Sequence, residues 1–319
     1  MLVADGIYLV QLPLPYALRS VNCYVLRDGD GWTVVDAGLN YPAGQTAWKA
    51  AWTELGFEPS AIKRIILTHA HPDHIGMAGW LAGLSGAEVF LPAVEALFAQ
   101  QVWGDGKPFY QANVMFFQHH GMSDSLGIEV YEHMAAQQAL THPLPKTVEL
   151  ALDSVVKIGS REFRVIETRG HSDGHVVLFC EAEHLMLCGD TVLNKITPNI
   201  SLWPYGRPNP LADFFETLDL LEKLDVQLAL PGHGSLIRNF RERIGELRKH
   251  HDLRLAEVMK IVGKGSHAFA VCSKLFSVDT LSPHQLRFAM AETLAHLEYL
   301  VVAEKLALVA SEPFEFRPL

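Results

Sequence analysis

Short apolar runs closed by Pro, Gly or Asp open the chain, and Gly6–Leu12, Val21–Leu26 and Trp32–Val35 read as strands. Apolar residues then fall at helical spacing over Gly44–Leu55. Arg64–Leu67 follows as a buried strand, Ile75–Leu84 as a helix rich in small residues, and Val89–Leu91 as a further short strand. From Pro92 to about Leu140 the pattern is helical, with Phe98, Trp103, Phe109, Tyr110, Phe116, Phe117 and Tyr131 spread through it. Strand signals return at Ser154–Ile158, Phe163–Ile166, Val176–Cys180 and Leu185–Cys188, then a helix at Phe214–Leu224 and a strand at Val226–Leu230. Strands with helices inserted between them predict a layered α/β architecture. After Gly234 the character changes to three helices, Phe240–Val262, Ala268–Phe276 and Pro283–Ala295, and a small hairpin of Leu306–Val309 with Phe314–Phe316. That order is the shape of a winged-helix-like unit. The expected division is residues 1–235, with a helical insertion at about 92–145, and residues 236–319.

Composition narrows the class. The chain has 319 residues, 49% hydrophobic and 19% charged, enough to bury a large core, which excludes a disordered, collagen-like or disulfide-scaffold protein. The formal net charge of −10 argues against a general binder of nucleic acid or anionic membranes. That charge is uneven: residues 1–234 carry −12 and residues 235–319 carry +2. Cys23, Cys180, Cys188 and Cys272 form no C-x-x-C pair and sit in apolar surroundings, so reduced, buried thiols are expected. With no secretory pattern at the N-terminus and no apolar run approaching a membrane span, the expectation is a soluble cytoplasmic protein without membrane partners.

The chemistry lies in the placement of the 16 histidines. At the exit of the buried strand Arg64–Leu67 the chain reads Thr68-His69-Ala70-His71-Pro72-Asp73-His74. Residues two apart in an extended segment share a side, so His69 and His71 can grip one cation. Asp73 and His74, at the turn into the next helix, can face a second one. Three further strands end alike: Phe163–Thr168 leads to Gly170-His171, Leu185–Cys188 to Gly189-Asp190, and Val226–Leu230 to Gly232-His233. Any of these alone is a turn; together and in this order they define a convergent ligand set.

The H-x-H-x-D-H motif followed by the His, Asp and His segments resembles the metallo-β-lactamase superfamily, in its hydroxyacylglutathione hydrolase and lactonase-like branch. The resemblance covers about residues 1–235. It implies an αββα sandwich with two divalent cations at one edge: His69, His71 and His171 on the first, Asp73, His74 and His233 on the second, Asp190 bridging both. Zinc suits the nitrogen-rich ligands, with manganese or iron also compatible. The ligand pattern differs from that of true β-lactamases, so antibiotic hydrolysis is not the expected activity. The implied chemistry is hydrolysis by a hydroxide shared between the cations, attacking a small ester-like bond, a thioester or lactone. Asp73 and Asp190 are the catalytic candidates, Asp73 serving either as ligand alone or also as the group that orients the hydroxide and moves its proton.

Around this set the readings stay open. His175, in a G-H-x-x-G-H segment similar to that of several superfamily members, either orients a ligand or is simply a buried polar residue. Asp36 resembles a family position that braces the metal loop, or is a simple turn residue. In Lys195–Pro210, with Asn199, Trp203, Tyr205 and Arg207, either Lys195 or Tyr205 is placed to contact substrate, or the segment is a structural crossover. The insertion's aromatics serve as a lid, as ordinary packing or as a homodimer surface, and His119, His120, His133 and His142 read as surface histidines. The basic run Arg238, Arg241, Arg243, Arg248, Lys249 and Arg254 is interleaved with Glu242, Glu246, Asp252 and Glu257, the pattern of a solvated, ion-paired face. It also sustains the alternative function, a metal-dependent phosphodiesterase or endoribonuclease whose C-terminal unit binds nucleic acid. The favoured partner is a small-molecule substrate.

Overall fold

The computed structural model describes all 319 residues. One sheet has seven strands in the order β1 (Leu2–Ala4), β2 (Ile7–Pro13), β3 (Ser20–Asp28), β4 (Gly31–Val35), β5 (Ile62–Ile66), β6 (Glu88–Leu91) and β7 (Thr147–Glu149). The second has five strands, β8 (Val155–Ile158), β9 (Arg161–Glu167), β10 (Val176–Cys180), β11 (Leu185–Gly189) and β12 (Leu228–Pro231), consecutive in space.

Side-chain alternation explains why both sheets are covered on both faces. In β3, Val21, Cys23 and Val25 join a core against the helices, while Tyr24 and Leu26 face the other sheet. In β11, Leu185 and Leu187 point between the sheets, and Met186 and Cys188 point to the helices outside. The layers are helix, sheet, sheet, helix. This αββα sandwich is the expected fold class.

Helices α1 (Pro42–Leu55), α2 (Pro72–Ile75) and α3 (Ala78–Ser85) cover the first sheet. The helix expected at Ile75–Leu84 is α3, beginning three residues later, and α2 precedes it as a separate turn of helix. Pro72 starts α2 at a position where its missing N–H costs nothing, and Met77, with ψ near 3°, separates the two. The insertion supplies α4 (Ala93–Ala99), a π-helical turn at Gln100–Gly104, α5 (Lys107–His119) and α6 (Asp124–Gln138). On the outer face of the second sheet lie α7 (Pro210–Leu221) and part of α8 (Phe240–Val262).

The C-terminal region comprises α8, α9 (Ala268–Leu275), α10 (Pro283–Val302) and an antiparallel ribbon of β13 (Leu306–Val309) and β14 (Glu315–Pro318). A capping box of Ser282 and Gln285 starts α10, which runs seven residues past the sequence expectation because Leu297 and Leu300 remain buried. Its apolar face is not a separate core. Met290, Leu294 and Leu297 belong to one 45-residue cluster with Val10, Trp103 and Phe117. No helix is long and apolar enough to cross a membrane.

Candidate metal centre

Strand direction brings the ligands together. β11 and β12 are parallel, and β9 runs the same way because both it and β11 are antiparallel to β10. In the facing sheet β4 and β5 are parallel. The exits of β4, β5, β9, β11 and β12 therefore carry Asp36, the Thr68–His74 segment, His171, Asp190 and His233. Bonds across the gap fix the edge: Val176 N–H donates to the Thr68 carbonyl at 3.0 Å. The Asn22 amide donates to the Pro231 and Gly234 carbonyls at 2.9 Å each, and the Tyr24 hydroxyl donates to Pro231 at 2.8 Å.

All seven candidate ligands meet there. His69, His71 and His171 form one group, Asp73, His74 and His233 a second, and Asp190 joins His69 and His74 in a third; ligand atoms in each group lie within 4.8 Å of one another. Asp190 reaches His74 Nε2 at 3.5 Å, His171 Nε2 at 3.6 Å and His233 Nε2 at 3.3 Å, the last also standing 3.2 Å from Asp73.

The far side of each ring is anchored. His74 Nδ1 donates to Asp36 at 2.9 Å, His171 Nδ1 to the Asn199 carbonyl at 2.9 Å, and His233 Nδ1 to the Ser20 carbonyl at 2.8 Å. These bonds leave Nε2 as the lone-pair nitrogen. The Nε2 atoms of all three, with Asp190 Oδ1, are buried without a hydrogen-bond partner. Buried polar atoms without partners are rare, and three such nitrogens gathered around the Asp190 carboxylate fit divalent cations. Electrostatics agrees: burial opposes charge on His233, yet the Asp190 and Asp73 carboxylates outweigh it and push its pKa up to about 10. So acidic a nest draws positive charge, and a cation would take the proton's place.

Two glycines make the approach possible. A Cβ on Gly232 would stand 2.2 Å from Asp190 Oδ1 and 2.8 Å from His74 Cε1. Gly189 has φ +45°, and a side chain there would strike His175 and Thr68.

Asp36 sits at φ +60°, where non-glycine residues are uncommon. Its carboxylate takes His74 Nδ1–H together with the Thr68 N–H at 2.8 Å and the Thr68 hydroxyl at 2.9 Å. Since Thr68 Oγ1 also lies 3.0 Å from His69 Nδ1, Asp36 braces two ligands at once. His175 is fully buried; its Nε2 accepts the Asp190 N–H at 3.1 Å, and its Nδ1 meets Thr168 and Thr191 at 2.9 Å. It holds the backbone of Asp190 without pointing into the site.

Other residues fall elsewhere. Lys195 is exposed and lines neither cavity at the site. Tyr205, 66% exposed, borders a cavity of about 100 Å³ with His71, His171, Phe98 and Phe109. His120, read as a surface residue, is buried and stacks on Phe316; His133 is bonded to His284 at 3.0 Å. The insertion therefore packs on the C-terminal helices; surface exposure was the wrong expectation for His120, and His133 is half-buried.

Sequence reasoning missed Glu95 and Glu292. Glu95 on α4 is buried and accepts N–H bonds from Ala70 and Gly174, both at 2.8 Å, tying two ligand loops together. Burial outweighs those bonds and raises its pKa. Glu292 on α10 accepts from the Asn199 amide at 2.9 Å, and Asn199 in turn holds His171. Neither had a local signal, since each is one acid in an ordinary helical stretch.

Fold and site together define a metal-binding αββα hydrolase. The model of the metallo-beta-lactamase superfamily matches residues 16–233, and the chain belongs to that superfamily. A second family, the metallo-beta-lactamase-like C-terminal domain, matches residues 255–313. The chain is 27% identical to "Probable metallo-hydrolase YqjP" of Bacillus subtilis over 95% of this chain and 94% of that one. It is 22% identical to the atrochrysone carboxyl ACP thioesterase of Aspergillus fumigatus, covering 71% of this chain and 55% of the relative. Among solved structures, the metallo-beta-lactamase family protein TTHA1429 of Thermus thermophilus superposes with TM-score 0.90 at 34% identity over 99% of both chains. A beta-lactamase domain protein from Burkholderia ambifaria gives 0.87 at 32%, over 99% of this chain and 93% of that one.

Proposed function

We propose that the protein is a two-cation hydrolase cleaving a small thioester or lactone. The observation that carries this reading is that the unpartnered Nε2 atoms of His74, His171 and His233 all face the Asp190 carboxylate, between the His69, His71, His171 trio and the Asp73, His74, His233 trio. When bound, two divalent cations supply a water acidic enough to attack at neutral pH and polarise the bond under attack. Zinc suits a set of five imidazoles and two carboxylates. Asp190 links the two trios. Asp73, the ligand carboxylate with more access to the cavity, orients the attacking water and passes its proton to the leaving group. The thioesterase named among the relatives supports attack at an acyl carbon. The four buried, free cysteines suit a reducing cytoplasm, and the C-terminal helices and ribbon suit a winged-helix-like reading.

Metal analysis of the purified protein should give about two ions per chain; one tightly held ion would overturn the two-cation reading. The activity is tested on thioesters, lactones, phosphodiesters and RNA, with Asp190→Ala as control. Turnover of a carbonyl substrate, lost in Asp190→Ala, is expected. Cleavage of RNA with no carbonyl substrate turned over would replace this reading with the nuclease one.

A further inference from the structure

A cavity of about 350 Å³ opens beside His71, Asp73 and Asp190, and its opposite wall is α10, which presents His284, Arg287, Phe288 and Glu292. Arg287 also borders a narrow cleft shared with the ligand His71. It is 7% exposed, and its guanidinium lies 4.2 Å from the Phe288 ring centre and 5.4 Å from that of Trp203. Its Nε is buried without a hydrogen-bond partner, and it takes part in none of the ion pairs of the molecule.

The surrounding polar groups are already engaged. The Tyr16 hydroxyl donates to Gln137, and the Tyr110 hydroxyl to the Val102 carbonyl at 2.5 Å. His284 is bonded to His133, Glu292 to Asn199, and Asp73 faces His233. Burial pulls the Arg287 pKa down to about 10, so the side chain stays charged at neutral pH. Arg243 shows how the same fold satisfies a buried guanidinium: at 8% exposure it donates to the Leu193 and Ile196 carbonyls and pairs with Glu246. Aromatic faces offset part of the desolvation of Arg287, but a buried cation without a counter-ion remains costly to keep.

We infer that Arg287 receives an anionic group of the substrate, a carboxylate or a phosphate, held across the cavity from the bond that is cleaved. A planar fork of donors suits either anion. This inference rests on the hydrolase reading for the second half of the substrate but not for the anion itself. The substrate class is accordingly an acyl compound carrying a negatively charged tail, and Arg287 acts as its specificity determinant.

The test has a binding arm and a turnover arm, both on metal-loaded full-length protein. Calorimetric titrations compare glutarate, its monoamide and 3-phosphonopropionate on the wild type, Arg287→Gln and Arg287→Lys. The expectation is at least about tenfold tighter binding of one dianion than of the monoamide, abolished in Arg287→Gln and partly restored in Arg287→Lys. The dianion with the larger Arg287-dependent gain identifies the tail as carboxylate or phosphate. Equal binding of all three compounds by the wild type, or a preference unchanged in Arg287→Gln, overturns the inference. In the turnover arm, thioesters ending in a carboxylate are compared with their amide counterparts, and the ratio of their kcat/KM values should fall towards one in Arg287→Gln. A binding preference without turnover of any acyl compound refutes the hydrolase reading and leaves the anion site standing. Turnover without charge preference does the reverse.

Discussion

Asp36 borders neither cavity at the site and braces two candidate ligands, His74 directly and His69 through Thr68. Asn tolerates the same left-handed backbone, so Asp36→Asn removes the charge while keeping the turn. It should weaken metal binding by about 10–100-fold, measured by competition with a chelator, while the melting temperature of the metal-free protein stays close to wild type. An affinity equal to wild type would show that the His74 and Thr68 bonds are incidental. The candidate ligands were legible because four of them form one H-x-H-x-D-H motif after a strand, and the other three follow a glycine at the exits of further strands. Glu95, Glu292 and Arg287 were not, for a physical reason: their roles come from what α4 and α10 pack against, and an acid or arginine in a helix reads as solvated until its neighbours are known. Histidine shows the same limit. His120 and His133 are indistinguishable in sequence from exposed residues, and only the docking of the insertion on α9, α10 and β14 covers them.

At the scale of elements, periodicity located the strands of both sheets that carry ligands and the three C-terminal helices. It failed where local pattern is weakest: β7 is a three-residue edge strand, and α2 and α3 merge in the sequence because Gly76 and Met77 look compatible with a helix. The contact between α8 and α10 carries its own pH dependence. His296 Nδ1 donates to the Glu292 carbonyl, and its Nε2 meets His251 Nδ1 at 3.1 Å, with Phe214 and Phe215 packed around His251. Burial lowers the pKa of His251 to about 2 and that of His296 to about 4. In the unfolded chain both accept protons near pH ~6.5, so below that value the unfolded state binds more protons than the folded one. Their contribution to stability is therefore complete above pH ~6.5 and is lost as pH falls, through about 4 for His296 and on towards about 2 for His251. Melting curves of the metal-saturated protein should show this drop, and the double variant His251→Met, His296→Leu should flatten it. Parallel curves for variant and wild type would show that the pair does not sense pH.

For the whole molecule, the question is whether the C-terminal region is an appendage. Its charge differs from the rest, which in the sequence suggests a separate module, but its buried residues are divided between the core of the first sheet and the insertion and the core on the outer face of the second sheet. Its helix α10 also reaches the candidate metal centre through Glu292, Asn199 and His171. Its arginines are partly committed: Arg243 pairs with Glu246, Arg248 with Asp219 on α7, and Arg254 with Glu257. Scanning calorimetry should accordingly record one cooperative transition for the full chain. A separate low-temperature transition assigned to residues 236–319 would mean that the shared core contributes little.

The spread of the candidate ligands from residue 69 to residue 233 bears on how a cation would be taken up. His69, His71, Asp73 and His74 are neighbours in the chain and can hold an ion before any tertiary structure exists. Asp190 and His233 join only when the second sheet has closed, and non-local closure is slow. An ion caught early would then be enclosed by later folding, and the metal content of the finished protein is expected to record which cation was present at closure as well as which one binds best. Refolding one unfolded stock in zinc, manganese or iron should give three differently loaded proteins that exchange slowly afterwards. Identical loading from all three would show that affinity alone decides.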